Sequence, residues 1–107
     1  MAKKPPSAAE REYMGLVARL DCAARGCGVS PVEVHHPRHG AGMGQRASHF
    51  DVIPLCPAHH RTGGFGVAIH AGQKTWEAKF GIEAELTKKT QHLVKELSKN
   101  QYVVFSM

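Results

Sequence analysis

The chain has 107 residues, enough for one domain with a thin core. Apolar residues at 42% and charged residues at 21% exclude a disordered polyelectrolyte, while eleven glycines point to a fold rich in loops. A formal net charge of +5, with eight histidines that gain charge in acid, favours a polyanionic partner without naming one.

Residues 1–6 form a short basic, proline-containing arm, expected to be flexible. Ser7 followed by Glu10 is a capping box, and Tyr13, Leu16, Val17 and Leu20 recur at helical spacing, so a packing helix runs from Ser7 to near Asp21. The residues from Cys22 to Pro31 are those of a tight turn. Val32 to His35 alternates apolar and polar side chains as a short strand does, Gly40 to Gly44 is a flexible loop, and Phe50 to Leu55 is a second strand. Pro57 suits the first turn of a helix that carries Ala58-His59-His60-Arg61 and that Gly63-Gly64-Phe65-Gly66 breaks. Val67-Ala68-Ile69 then leads to His70, read as the end of a short strand.

Gln73 to Phe80 reads as a helix closed by Gly81, with Trp76 and Phe80 on the core. Ile82, Leu86, Leu93, Val94 and Leu97 mark one face of a last helix whose other face is rich in lysine. No run approaches the roughly 18 apolar residues of a membrane span, and no apolar run follows the N-terminal lysines, which predicts a cytoplasmic, reducing location.

Three cysteines cannot close a disulfide framework, whereas three thiolates and one histidine complete a tetrahedral zinc site. Cys22-x4-Cys27 and Cys56-x2-His59 are two such knuckles, 28 residues apart. A structural zinc there would supply folding free energy that a thin core lacks. The alternative is three ordinary buried thiols with His59 on the surface.

Strand and helix also bring further imidazoles near the knuckles. Neighbours on a strand face opposite ways, so His35 and His36 divide two tasks, one holding metal and the other handling protons. On a helix His59 and His60 diverge by about 100°, so that His59 faces the zinc and His60 the second site. His70 is a further candidate ligand for that site. His39 and His49 suit phosphate contact or plain exposure, and His92 the surface. Arg38, Arg46 and Arg61 lie around these histidines in sequence and are candidate phosphate contacts, insensitive to base identity.

Val32-Glu33-Val34-His35-His36-Pro37 followed by Asp51-Val52-Ile53-Pro54-Leu55-Cys56-Pro57-Ala58-His59-His60 resembles the signature of HNH (ββα-metal) endonucleases. The segments His35 to Arg38, Gly42-Met43-Gly44, Arg46 to Phe50, Ile53 to Pro57 and His59-His60-Arg61 resemble more closely the phage recombination-enhancement (Ref) nucleases, as do Gly66 to Gly72 and Trp76 to Gly81. The likeness spans about residues 20–82. It implies an α+β fold in which a small ββα-metal centre with its structural zinc is flanked by N- and C-terminal helices, within one domain over residues 7–107.

The resemblance further implies that His36 is the general base and that His35 and His60 hold a catalytic magnesium, manganese or zinc ion for hydrolysis of DNA. Asp51 stands where many members carry an asparagine that orients the base, and a carboxylate serves that task by fixing one ring nitrogen of His36. Ref cleavage depends on a RecA filament on DNA, which makes such a filament an expected partner, although no residue singled out in the sequence demonstrates that requirement. The competing class is a zinc-stapled DNA-binding module that cuts nothing, for which a second histidine group has no use. A histidine-rich metal sensor fits less well, since only part of the histidine set falls at ligand spacing.

Overall fold

A computed structural model describes residues 5–37 and 48–106, with side chains placed through Lys99. The basic arm through Lys4, the glycine loop, Arg38, His39 and Arg46 lie outside the described residues. Among the described residues the architecture is α+β: three α-helices around a two-stranded antiparallel sheet.

Helix α1 (Ala8–Val17) begins where the capping box places it. Ser7 Oγ accepts from the Glu10 backbone at 3.1 Å, and Glu10 accepts from the Ser7 backbone at 2.7 Å. Strands β1 (Glu33–His35) and β2 (Ile53–Leu55) pair with Glu33 opposite Leu55 and His35 opposite Ile53. Both are shorter than their alternating patterns. Pro54, which has no N–H to give, sits opposite Val34 between those two pairs, and its carbonyl accepts from the Ala23 backbone at 2.8 Å. That bond pins the first cysteine turn to β2.

The segment after Pro57 is wound more loosely than the α-helix expected, as a π-type turn over Ala58–Thr62. His70 lies in a 3₁₀ turn, Ile69–Ala71, rather than at a strand end. Helix α2 (Gln73–Phe80) has the expected bounds, and Gly81 ends it by donating to the Glu77 carbonyl at 3.1 Å.

Helix α3 (Glu83–Ser106) buries part of the face that its large apolar residues suggested, at Leu86 and Val94, but that face is shifted toward Glu83, Thr87 and Thr90. Glu83, Leu86, Thr87, Thr90 and Val94 are buried, whereas Ile82 and Leu93 are 52% and 40% exposed. Thr90 satisfies its hydroxyl on the Leu86 carbonyl and Thr87 donates to the Asp51 carbonyl, which lets two threonines occupy core positions.

Two buried groups result. The larger joins Ile53, Leu55, Ile69, Trp76 and Leu86 with Cys22 and Cys56, and Phe80 packs against it. The smaller joins Val17 of α1, Val52 and Val94 of α3. The sheet lies between them and carries the histidine strand.

Candidate metal centre

The two knuckles are built by backbone hydrogen bonds. Cys27 N–H donates to the Ala24 carbonyl and Cys22 N–H to the Val29 carbonyl, closing a turn in which Gly26 and Gly28 adopt φ of 83° and 70°. Those angles favour glycine, so the sequence Gly26-Cys27-Gly28 suits the turn. On the other side His60 N–H donates to the Cys56 carbonyl, folding Cys56 to His60 into a single turn.

Cys22, Cys27, Cys56 and His59 converge, their ligand atoms all within 4.8 Å of one another. Cys56 Sγ lies 3.2 Å and Cys22 Sγ 3.6 Å from His59 Nδ1, and Cys27 Sγ lies 3.9 Å from Cys56 Sγ. The set is a possible metal site. Phe80 packs edge-on against the His59 ring, with centroids 4.5 Å apart, and so fixes its plane.

Charge in this cluster is unevenly supported. Burial pushes the Cys22 thiol up to about 12, against hydrogen bonds from the backbone of Cys56 and Ala24. Burial also works against a Cys56 thiolate, but hydrogen bonds from the His59 backbone, the neighbouring thiols and the Ala58 backbone hold its pKa below the ordinary value. Burial lowers the His59 pKa and so favours the neutral ring that a metal requires.

A second cluster lies beside the first. His35, His60 and His70 also bring their ligand atoms within 4.8 Å of one another. Their rings meet edge to face, at 5.1 Å for His35 and His60, 5.4 Å for His35 and His70, and 4.5 Å for His60 and His70. Consecutive residues on the π-type turn thus serve different clusters, His59 the sulfur-rich one and His60 the all-imidazole one. His35 reaches the second cluster from the end of β1, and His70 from the 3₁₀ turn.

Two carboxylates stand behind these rings, and neither was singled out from the sequence. Glu83 Oε2 lies 2.6 Å from His35 Nε2, while Glu83 Oε1 accepts from Gln73 Nε2 at 2.8 Å. Glu33 Oε1 lies 2.7 Å from His60 Nδ1. Hydrogen bonds from Arg61 and His60 hold the Glu33 carboxyl down at about 2. Glu33 sits two positions before His35 and on the same face of β1, a spacing that could have drawn attention to it. Glu83 carried no such signal, because an acid in the first turn of a helix reads as a partner of the helix dipole.

The remaining expected site residues are distributed as follows. His36, outside the cluster and exposed, has Nε2 at 2.9 Å from His49 Nδ1. The Asp51 carboxylate receives Gln91 Nε2 at 3.3 Å. Arg61, expected as a phosphate contact, grips Glu33 through Nε and Nη2, the latter at 2.7 Å, with 58% of its side chain exposed. His92 is exposed on α3.

Residues 2–97 match the family described as "Protein of unknown function (DUF968)". No curated protein matches the chain.

Proposed function

We propose that this chain, which belongs to the DUF968 family, is a metal-dependent HNH-type endonuclease that hydrolyses DNA, with a structural zinc in the cysteine set and a catalytic divalent cation at the three imidazoles. The observation that carries the reading is the pair of adjoining donor clusters, one sulfur-rich and one all-imidazole, divided between His59 and His60.

The cysteine set suits zinc in both chemistry and size. Tetrahedral bonds of about 2.3 Å to sulfur and about 2.0 Å to nitrogen place sulfurs about 3.8 Å apart and sulfur about 3.5 Å from nitrogen. The separations of 3.9, 3.6 and 3.2 Å are close to that geometry. Four protein ligands leave no open position, as a structural site requires. The imidazole cluster offers three ligands and leaves room for more, as catalytic sites do. His35 Nδ1 is buried with no hydrogen-bond partner among the described residues, a cost that a cation would relieve.

When bound there, a divalent cation would supply positive charge beside a scissile phosphate. His36, exposed and next in sequence to a ligand, accepts the proton of the attacking water. His49 holds one ring nitrogen of His36 and so orients the base, the task the sequence pattern assigned to Asp51. Arg61 binds Glu33 through Nε and Nη2 and, with 58% of its side chain exposed, has its Nη1 N–H groups left for a phosphate oxygen. A binding module that cuts nothing would need only the cysteine set, and the carboxylate-backed imidazoles would serve no purpose in it.

The test is cleavage of plasmid and single-stranded DNA by wild type and His36→Ala, with magnesium, manganese, zinc or chelator, each with and without a RecA filament. We expect cleavage that chelator abolishes and that His36→Ala reduces by about 10²- to 10⁴-fold, with fold and structural zinc retained. Cleavage only with the filament would extend the reading to RecA dependence. DNA binding without cutting under every condition would replace it with the binding module.

A further inference from the structure

Glu83 is 1% exposed and His35 5%, so their 2.6 Å contact is a buried one. A carboxylate withdrawn from water is costly unless nearby donors and positive charge compensate it. Gln73 Nε2 and His35 Nε2 both face it, and its place in the first turn of α3 adds the favourable end of the helix dipole.

A His–Glu pair with a purely structural purpose has no need of the second ring nitrogen. In His35 that atom, Nδ1, is buried without a hydrogen-bond partner among the described residues, in a ring that meets His60 and His70 edge to face. Tyr13 Oη and Trp76 Nε1 are similarly placed, but neither belongs to a cluster of metal donors. A cavity of about 180 Å³, lined in part by His35, His70, Gln73 and Glu83, opens beside the pair.

We infer that Glu83 is a positioning residue for the metal. By taking the Nε2–H of His35 it selects the tautomer whose lone pair is on Nδ1, so that His35 ligates through Nδ1. Glu33, taking the Nδ1–H of His60, selects the opposite tautomer, and His60 ligates through Nε2. The inference rests on the three-imidazole site proposed above and adds which atoms bind and what fixes them. It also ties the metal to α3, since Glu83 is the first residue of that helix.

The decisive measurement is a long-range ¹H–¹⁵N imidazole correlation spectrum of the labelled full chain loaded with zinc. His35 is expected to show a metal-bound Nδ1 and a protonated Nε2, and His60 the reverse. Alongside it, zinc is titrated calorimetrically into wild type and Glu83→Gln after the cysteine set has been filled. The variant is expected to lose about 10- to 100-fold in affinity at the imidazole site, with the cysteine set unchanged. Zinc on His35 Nε2, or equal affinities in the two proteins, overturns the positioning role and leaves the three-imidazole site standing. A wild type that takes up no zinc beyond the cysteine set overturns both. Should Glu83→Gln fail to fold, the wild-type spectrum decides alone.

Discussion

Cys27 is half-buried in the cysteine set and His70 is the exposed member of the imidazole cluster, and substituting them separates the clusters' roles. Cys27→Ser replaces a thiolate with a hydroxyl that binds zinc poorly, and its neighbours Cys22 and Cys56 belong to the larger core group. The variant is expected to lose one zinc per chain together with its thermal transition. His70→Ala removes an exposed ring on a short turn and is expected to keep that transition and that zinc while weakening only the imidazole site. Metal analysis and calorimetry of both check this, and a folded, fully zinc-loaded Cys27→Ser would end the structural role. The cysteine set was legible because its members come as two close pairs of zinc-ligand types, each incomplete alone, although the pairs meet only across 29 and 37 residues. Glu33 and Glu83 were not, because a lone carboxylate is not a marked residue type and only the tertiary fold brings them to their histidines, across 27 and 48 residues.

Local chemistry that closes within one turn was legible at the scale of elements too. The Ser7 capping box and the glycine stop at Gly81 place α1 and α2 without tertiary information. Patterns that depend on neighbours were misread. Choosing the buried face of α3 by its largest apolar residues admitted Ile82 and Leu93 and passed over Thr87 and Thr90, whose hydroxyls find carbonyl partners. The difference is measurable. Val94→Ala, at a position 4% exposed, is expected to lower stability by about 1–3 kcal/mol. Leu93→Ala, although it removes more carbon, should stay within about 0.5 kcal/mol, because its position is 40% exposed. Denaturant unfolding of the two variants compares them directly, and a larger loss at Leu93 would refute the observed orientation of α3.

For the whole molecule the question is what holds two small buried groups in one structure. The sheet that separates them has three residues in each strand, too little to stand alone. None of the described helices is long and apolar enough to cross a membrane. Structural zinc in zinc-finger peptides binds with apparent free energies of about 10–16 kcal/mol, whereas whole domains are stable by only about 5–15 kcal/mol. Removing zinc from the proposed cysteine site should therefore exceed the stability available and unfold the chain. Two steps are expected as chelator strength rises. A weak chelator empties the imidazole site first, since three neutral nitrogens bind zinc less strongly than a set with three thiolates, and helicity is retained. A stronger chelator then removes the second zinc and collapses the circular dichroism signal, and added zinc restores it. Following zinc content and helicity in the same titration tests the order. Loss of both zincs with the helical signal and melting temperature unchanged would mean that the two buried groups suffice without a metal.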